Sequence, residues 1–178
     1  VRSLCGCSAR TGFLVCINIS LKMLDFNENL RQIRAFLENA CLLNPCFGVE
    51  FELTETAIVQ NESVVEILQA YTDAGVRIAI DDFGVAHSSL HRLSTLPIKT
   101  LKLDMSFVKT VGHDEKTQII VKSVIDLAKN LGIRVVAEGL ETEIQKTVLV
   151  ALGCRYVQGY YFSEPLSLEA LKAKLAQA

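Results

Sequence analysis

VRIAIDDFG, residues 76–84, decides the fold. Val76, Ile78, Ala79 and Ile80 make a short apolar run, two adjacent carboxylates (Asp81 and Asp82) end it, and Gly84 opens a loop. A run this short, rich in β-branched residues and closed by a turn signal, reads as a buried strand. The same grammar recurs on both sides. FLVCIN (13–18) ends in Asn18, GVEFE (48–52) in Glu52, TLKLD (100–104) in Lys102 and Asp104, RVVAE (134–138) in Glu138, and RYVQG (155–159) in Gln158 before Gly159. Helix-like stretches separate most of these runs, and a repeated strand–helix unit builds a parallel sheet. When such a sheet closes into a barrel, all strand C-termini open on one face, and active sites sit there. Residues scattered from 18 to 158 are therefore expected to converge on one acidic pocket.

Outward from the strands, the helices follow from periodicity. Residues 27–43 carry Leu30, Ile33, Phe36 and Leu37 at helical spacing. A helix over 63–74 stops at Gly75, and a short one over 88–96 precedes Pro97. Residues 117–131 place Ile119, Ile120, Val124, Leu127, Ala128 and Leu131 on one broad face, with Gly132 as the stop. Thr142 caps a helix running to Leu152, and an amphipathic helix over 167–176 closes the chain. Residues 1–12 read as an irregular leader and 13–178 as one α/β unit. Six βα units do not close a standard eight-stranded barrel. Either two strands are lacking at the N-terminus or the sheet is open, and Val1 in place of Met points to a fragment or an alternative start.

Composition narrows the function classes. With 178 residues, 50% of them apolar and 21% charged, the chain suits a single domain whose strands are covered on both faces. A net charge of −2 argues against a DNA or RNA binder, which would show a basic face. No stretch of about 18 apolar residues is present to span a membrane. The apolar run near the start is broken by Asn18 and lacks a cleavage site, so it is not read as a signal peptide. The six cysteines form no CxxC pair and no zinc spacing, which fits thiols in a reducing cytoplasm. Cys16 and Cys41 lie in apolar segments and are expected in the core, whereas Cys5 and Cys7 lie in the leader. His87 and His91 are four apart but lack the Glu of HExxH, and His113 reads as a surface residue.

The chemistry rests on the strand ends. Adjacent carboxylates after a buried run are costly unless paired or bound to cations. Hard cations such as Mg²⁺ take oxygen ligands, and Asn18, Glu52 and Asp81 supply such a set. A two-metal site of this kind suits a phosphate ester. Lys102 and Asp104 share one side of their strand, so Lys102 either pairs with Asp104 or Asp81, or faces substrate, or does both. Glu138 is the strand-end group of AEGLE, while Glu141 sits where a carboxylate favours the start of the next helix. Glu55, three residues after Glu52, holds following backbone amides, and Gln158 lies at the barrel rim.

INIS (17–20), ELTET (52–56), IAIDDFG (78–84), LKLDMSFV (101–108), VVAEGLET (135–142) and YVQGYYFSEPL (156–166) together resemble the EAL domain, a bacterial phosphodiesterase family. The likeness covers roughly residues 13–166 in the family's order. It implies an EAL-type (β/α)₈ TIM-like barrel with one antiparallel strand, here lacking about the first two strands. It implies metal-dependent hydrolysis of cyclic di-GMP to linear pGpG with Mg²⁺ or Mn²⁺. By resemblance Asn18, Glu52 and Asp81 are metal ligands and Asp82 serves the second metal. Lys102 positions the attacking water, and Glu138 and Gln158 complete the shell. Glu55 holds the loop after Asp82, which the family also uses for homodimer contact together with the adjacent helix. The resemblance further implies a cytoplasmic domain, with a sensor or GGDEF domain upstream, or a membrane anchor, in a longer parent.

The chain departs from the family pattern in two places. The Glu-Ala-Leu strand, whose Glu is a metal ligand, is not found at its expected place, and Glu169-Ala170-Leu171 falls on the closing helix. Loss of that carboxylate is expected to impair activity. The alternative is a receptor for cyclic di-GMP, or a protein scaffold, of the same fold. A remnant that folds poorly is the third reading, since open strand edges invite exchange and aggregation. The loop reads DFGVAHSS where the family has DFGTGYSS, with Ala86 for Gly and His87 for Tyr, which alters the coupling of metal site and dimer.

Overall fold

A computed structural model describes residues 13–24, 28–43, 47–59, 64–84 and 90–175. The leader 1–12, the loop 85–89 with Ala86 and His87, and Cys46 lie outside them, as do the side chains of Cys41 and His91. Six strands form one sheet in sequential order: β1 (Phe13–Asn18), β2 (Phe47–Thr54), β3 (Arg77–Phe83), β4 (Thr100–Leu103), β5 (Arg134–Glu138) and β6 (Tyr156–Gln158). Every adjacent pair is parallel, so all described strands end on the same rim. The helices are α1 (Glu28–Leu43), α2 (Glu55–Val59), α3 (Val64–Asp73), α4 (Leu90–Thr95), α5 (Met105–Val111), α6 (Glu115–Asn130), α7 (Glu143–Ala151) and α8 (Leu168–Leu175).

Alternation along the strands separates two faces. Val49, Phe51 and Leu53, Ile78 and Ile80, Leu101 and Leu103, and Val135 and Ala137 belong to the buried apolar core. Leu68 and Tyr71 of α3, Val108 and Val111 of α5, Val121 and Ile125 of α6 and Leu149 of α7 join them. Each of the buried Val, Leu and Ile side chains contributes about 1.5–3 kcal/mol on burial. The intervening residues, Glu50 and Glu52, Ala79 and Asp81, Thr100 and Lys102, and Arg134 and Glu138, share the opposite face, and that face carries the chemistry.

Local signals set the helix starts. Thr142 Oγ1 accepts the Gln145 backbone N–H at 3.3 Å, and Gln145 Oε1 accepts the Thr142 N–H at 2.9 Å, a capping box that opens α7. Glu141, expected to supply that cap with its carboxylate, gives only its backbone N–H, which donates to Gln145 Oε1 at 2.9 Å. The buried face of α6 is Thr117, Val121, Ile125 and Ala128. Ile119, Ile120 and Leu131, expected on the core face, are exposed. Cys16, expected in the core, is a free and exposed thiol on β1, because no described strand pairs with that strand's outer edge. β6 ends at Gln158, and Gly159 after it packs so closely that a Cβ there would stand 2.1 Å from the Leu140 carbonyl oxygen, so only glycine fits.

Candidate metal centre

Lys102 is the hub of the rim. Its strand, β4, is buried at all four positions, and the side chain is only 6% exposed. An ammonium has three N–H donors. Here they meet Glu52 Oε2 at 2.7 Å, Glu138 Oε1 at 2.7 Å and Asp81 Oδ1 at 3.1 Å, one carboxylate each from β2, β5 and β3. Burial alone would depress the Lys102 pKa, but the hydrogen bonds it donates to Glu138 and Glu52 outweigh that and raise it above the ordinary range. Lys102 is therefore a fixed cation. Asp104, expected to share Lys102's side of the strand, lies past the end of β4. It caps α5 instead, with Oδ1 accepting the Ser106 N–H at 2.9 Å.

Asp81 and Asp82 would face opposite ways in a regular strand. The register slips between Ile80 and Phe83, and Asp82 takes φ +55°, the only left-handed non-glycine among the described residues. Asp tolerates that region better than most residues. The kink brings the two neighbours together: carboxylate oxygens of Asp81, Asp82 and Glu138 lie within 4.8 Å of one another. The Asp82 N–H donates to Asp81 Oδ1 at 3.1 Å. Burial, then the charges of Asp81 and Asp104, push the Asp82 carboxyl up from its ordinary value. Glu138 is also pushed up, by burial first, against the opposing pull of Lys102. Glu55, buried at the start of α2, accepts the Gly84 N–H at 3.0 Å and so fixes the backbone just past Asp82.

Asn18 and Gln158 occupy the ends of the outer strands, in register with Glu52 and Glu138 respectively, and both are exposed. The strand order thus spreads the expected groups along one rim, with the carboxylates around Lys102 at the centre. Glu141 is exposed on the loop before α7 and His113 is exposed before α6. The sequence reading did not single out Glu50, Thr100 and Arg134, which lie on the same sheet face one layer deeper. The Glu–x–Glu spacing of GVEFE was the available signal, since residues two apart share a face.

The donor set fits hard divalent cations. Glu52, Asp81 and Glu138 surround a single ammonium, Asp82 lies beside Asp81 and Glu138, and all of their donors are oxygen. Burial first, and then the nearby Asp81 and Asp104 charges, disfavour the ionised form of Asp82, and a bound cation would offset both.

The EAL-domain family model matches residues 2–165 of the chain. The cyclic di-GMP phosphodiesterase NbdA of Pseudomonas aeruginosa is 38% identical over 159 residues, 89% of this chain and 20% of NbdA. The chain spans about a fifth to a quarter of the length of the first curated relatives it matches. The crystal structure of the EAL domain of Mycobacterium smegmatis DcpA superposes with a TM-score of 0.83 at 34% identity, over 92% of this chain and 73% of that one. A manganese and cyclic di-GMP complex of Klebsiella pneumoniae BlrP1 superposes with a TM-score of 0.74 at 32% identity, over 84% of this chain and 38% of that one. Fold, rim chemistry and motif order agree, and the chain belongs to the EAL-domain family.

Proposed function

We propose that this chain hydrolyses cyclic di-GMP to linear pGpG with Mg²⁺ or Mn²⁺. The observation that carries the reading is the Lys102 hub, with carboxylates from three strands bonded to one ammonium beside the Asp81–Asp82 kink. Asn18, Glu52, Asp81 and Asp82 would hold the cations. Bound there, they would polarise the phosphodiester and lower the pKa of an attacking water. Lys102 orients Glu52, Asp81 and Glu138, and an N–H released when a carboxylate turns away can donate to water or to a phosphate oxygen. Glu138, held up by burial, is suited to take the proton that water loses. Glu55 keeps the Asp82 backbone in its kinked path, and Gln158 adds a rim amide beside Glu138. In the hydrolysis a water oxygen bonds to phosphorus, one P–O ester bond breaks, and the released sugar hydroxyl takes up a proton.

The same reading covers partners. Cyclic di-GMP is the ligand, a homodimer forms through the loop after Asp82 and the adjacent helix, and a sensor or GGDEF domain lies upstream in a longer cytoplasmic parent. No described helix is long and apolar enough to cross a membrane. The test is product analysis after incubation with cyclic di-GMP and Mn²⁺, beside Asp81→Asn. The expected outcome is pGpG from the parent and none from the variant. Binding of cyclic di-GMP by folded protein without product would replace hydrolysis with a receptor role.

A further inference from the structure

Two residues below Glu52 and Lys102, and four below Glu138, lies a second polar layer. Glu50 precedes Glu52 on β2, Thr100 precedes Lys102 on β4, and Arg134 opens β5, whose last residue is Glu138. Two residues of strand rise about 6.6 Å, so this layer is the floor of the rim site. Glu50 is 2% exposed and Thr100 1% exposed. Thr100 Oγ1 donates to Glu50 Oε2 at 2.8 Å. One Arg134 terminal nitrogen lies 3.2 Å from Glu50 Oε2 and 2.8 Å from Thr100 Oγ1. Ala79 of β3, in register with Glu52 on one side and Thr100 on the other, is fully buried with only a methyl group, which leaves room for side chains of β2 and β4 to meet across β3. The guanidinium also stacks on Tyr156 of β6, 5.1 Å from the ring centre. One cluster therefore ties β2, β4, β5 and β6 together beneath the strand ends that carry Glu52, Lys102, Glu138 and Gln158.

As a stability device this layer is poor. Replacing a buried ion pair by packed apolar groups is often neutral or stabilising, and Arg134 Nε is buried with no hydrogen-bond partner among the described residues. What the cluster provides is geometry. Three side chains with directional bonds fix the relative height of β2, β4 and β5, and the hub needs that height, because Lys102 must reach Glu52 and Glu138 at once. Arg134 also supplies the counter-charge of the buried Glu50 carboxylate. We propose that Glu50, Thr100 and Arg134 are positioning residues that hold Lys102 and its carboxylates in register.

The inference deepens the metal-centre reading, but its first test needs no metal. In ¹⁵N-labelled protein treated with EDTA, the Lys102 ammonium gives a ¹⁵N–¹H signal, identified by its loss in Lys102→Met. Arg134→Met is expected to displace that signal or broaden it away. Thr100→Val, a near-isosteric change, should move it less and in the same direction. Glu50→Gln with Arg134→Met, which removes both charges, should return it toward its starting position. A merely structural role would lower the melting temperature and leave the signal in place. The inference is overturned if the signal stays within its line width in folded Arg134→Met or, should that variant not fold, in Thr100→Val. The second readout is Mn²⁺ affinity by electron paramagnetic resonance, expected to weaken roughly tenfold in Arg134→Met. Parent protein that binds no Mn²⁺ overturns the metal-centre reading, and the ammonium signal then decides the positioning role by itself.

Discussion

Lys102 holds three carboxylates against one another, and removing it leaves them facing each other without a counter-charge. Breaking a buried pair from one side costs about 3–5 kcal/mol, so Lys102→Met should be destabilised by an amount of that order in metal-free protein. Divalent cations should restore more stability to the variant than to the parent, because binding to the folded state is linked to its stability. Urea unfolding in EDTA and in Mn²⁺ measures both, and an equal Mn²⁺ effect on the two proteins would count against the cluster as a cation site. Asp82 makes the opposite case. Its raised pKa means that the charged form is disfavoured in the fold. Asp82→Asn should therefore match or exceed the parent's stability in EDTA and bind Mn²⁺ more weakly. Asp82→Val should lose a further 1–2 kcal/mol or so from the left-handed backbone. Equal urea midpoints for Asn and Val at this position would remove the backbone argument.

At the scale of elements, helix starts carry a pH signature. Asp114 caps α6, accepting the backbone N–H groups of Lys116 and Thr117, and its hydroxyl bond from Thr117 comes first among the causes that hold its pKa below 3.8. A carboxylate whose folded pKa is depressed stabilises above its unfolded pKa, and that stability is lost as pH falls through the folded value. The stability gap between the parent and Asp114→Ala should hold constant from neutral pH down to about 5. It should then close as pH falls through and below the ordinary carboxylate pKa of about 3.9. Thermal melts across that range give the curve, and a gap that widens in acid would contradict the cap.

Elements also show what sequence periodicity reveals. The six strands were legible because each is a short apolar run with a polar end. Helix α5 was not, since MSFVKTV is too short for its period to show and Asp104 resembled a strand-side partner of Lys102 when it is a cap. The face of α6 was read correctly at Val124, Leu127 and Ala128, which are in or against the core, and misread at its start, where the buried position is Thr117, a polar residue whose hydroxyl is satisfied by Asp114, while Ile119 and Ile120 are exposed. The polar floor escaped for a related reason: Glu50, Thr100 and Arg134 are far apart in sequence, and only the strand register joins them.

At the scale of the molecule the described strands do not close on themselves: no described strand lies against the outer edge of β1. Ile17, Met23 and Phe36 are exposed beside that edge at 41%, 62% and 55%. Unpaired edges with apolar neighbours recruit other chains. The isolated chain is therefore expected to self-associate as concentration rises in sedimentation velocity, and a monodisperse monomer with a single cooperative melt would refute that. The rim carries one more consequence of the sequential order. Its charged groups come from residues 52, 81, 102 and 138, one strand at a time, and no two neighbouring strands hold enough of them to make the hub. The centre works as a coincidence detector for its own synthesis: it exists only once the strand bearing Glu138 has emerged and docked, so an unfinished chain has no assembled hub.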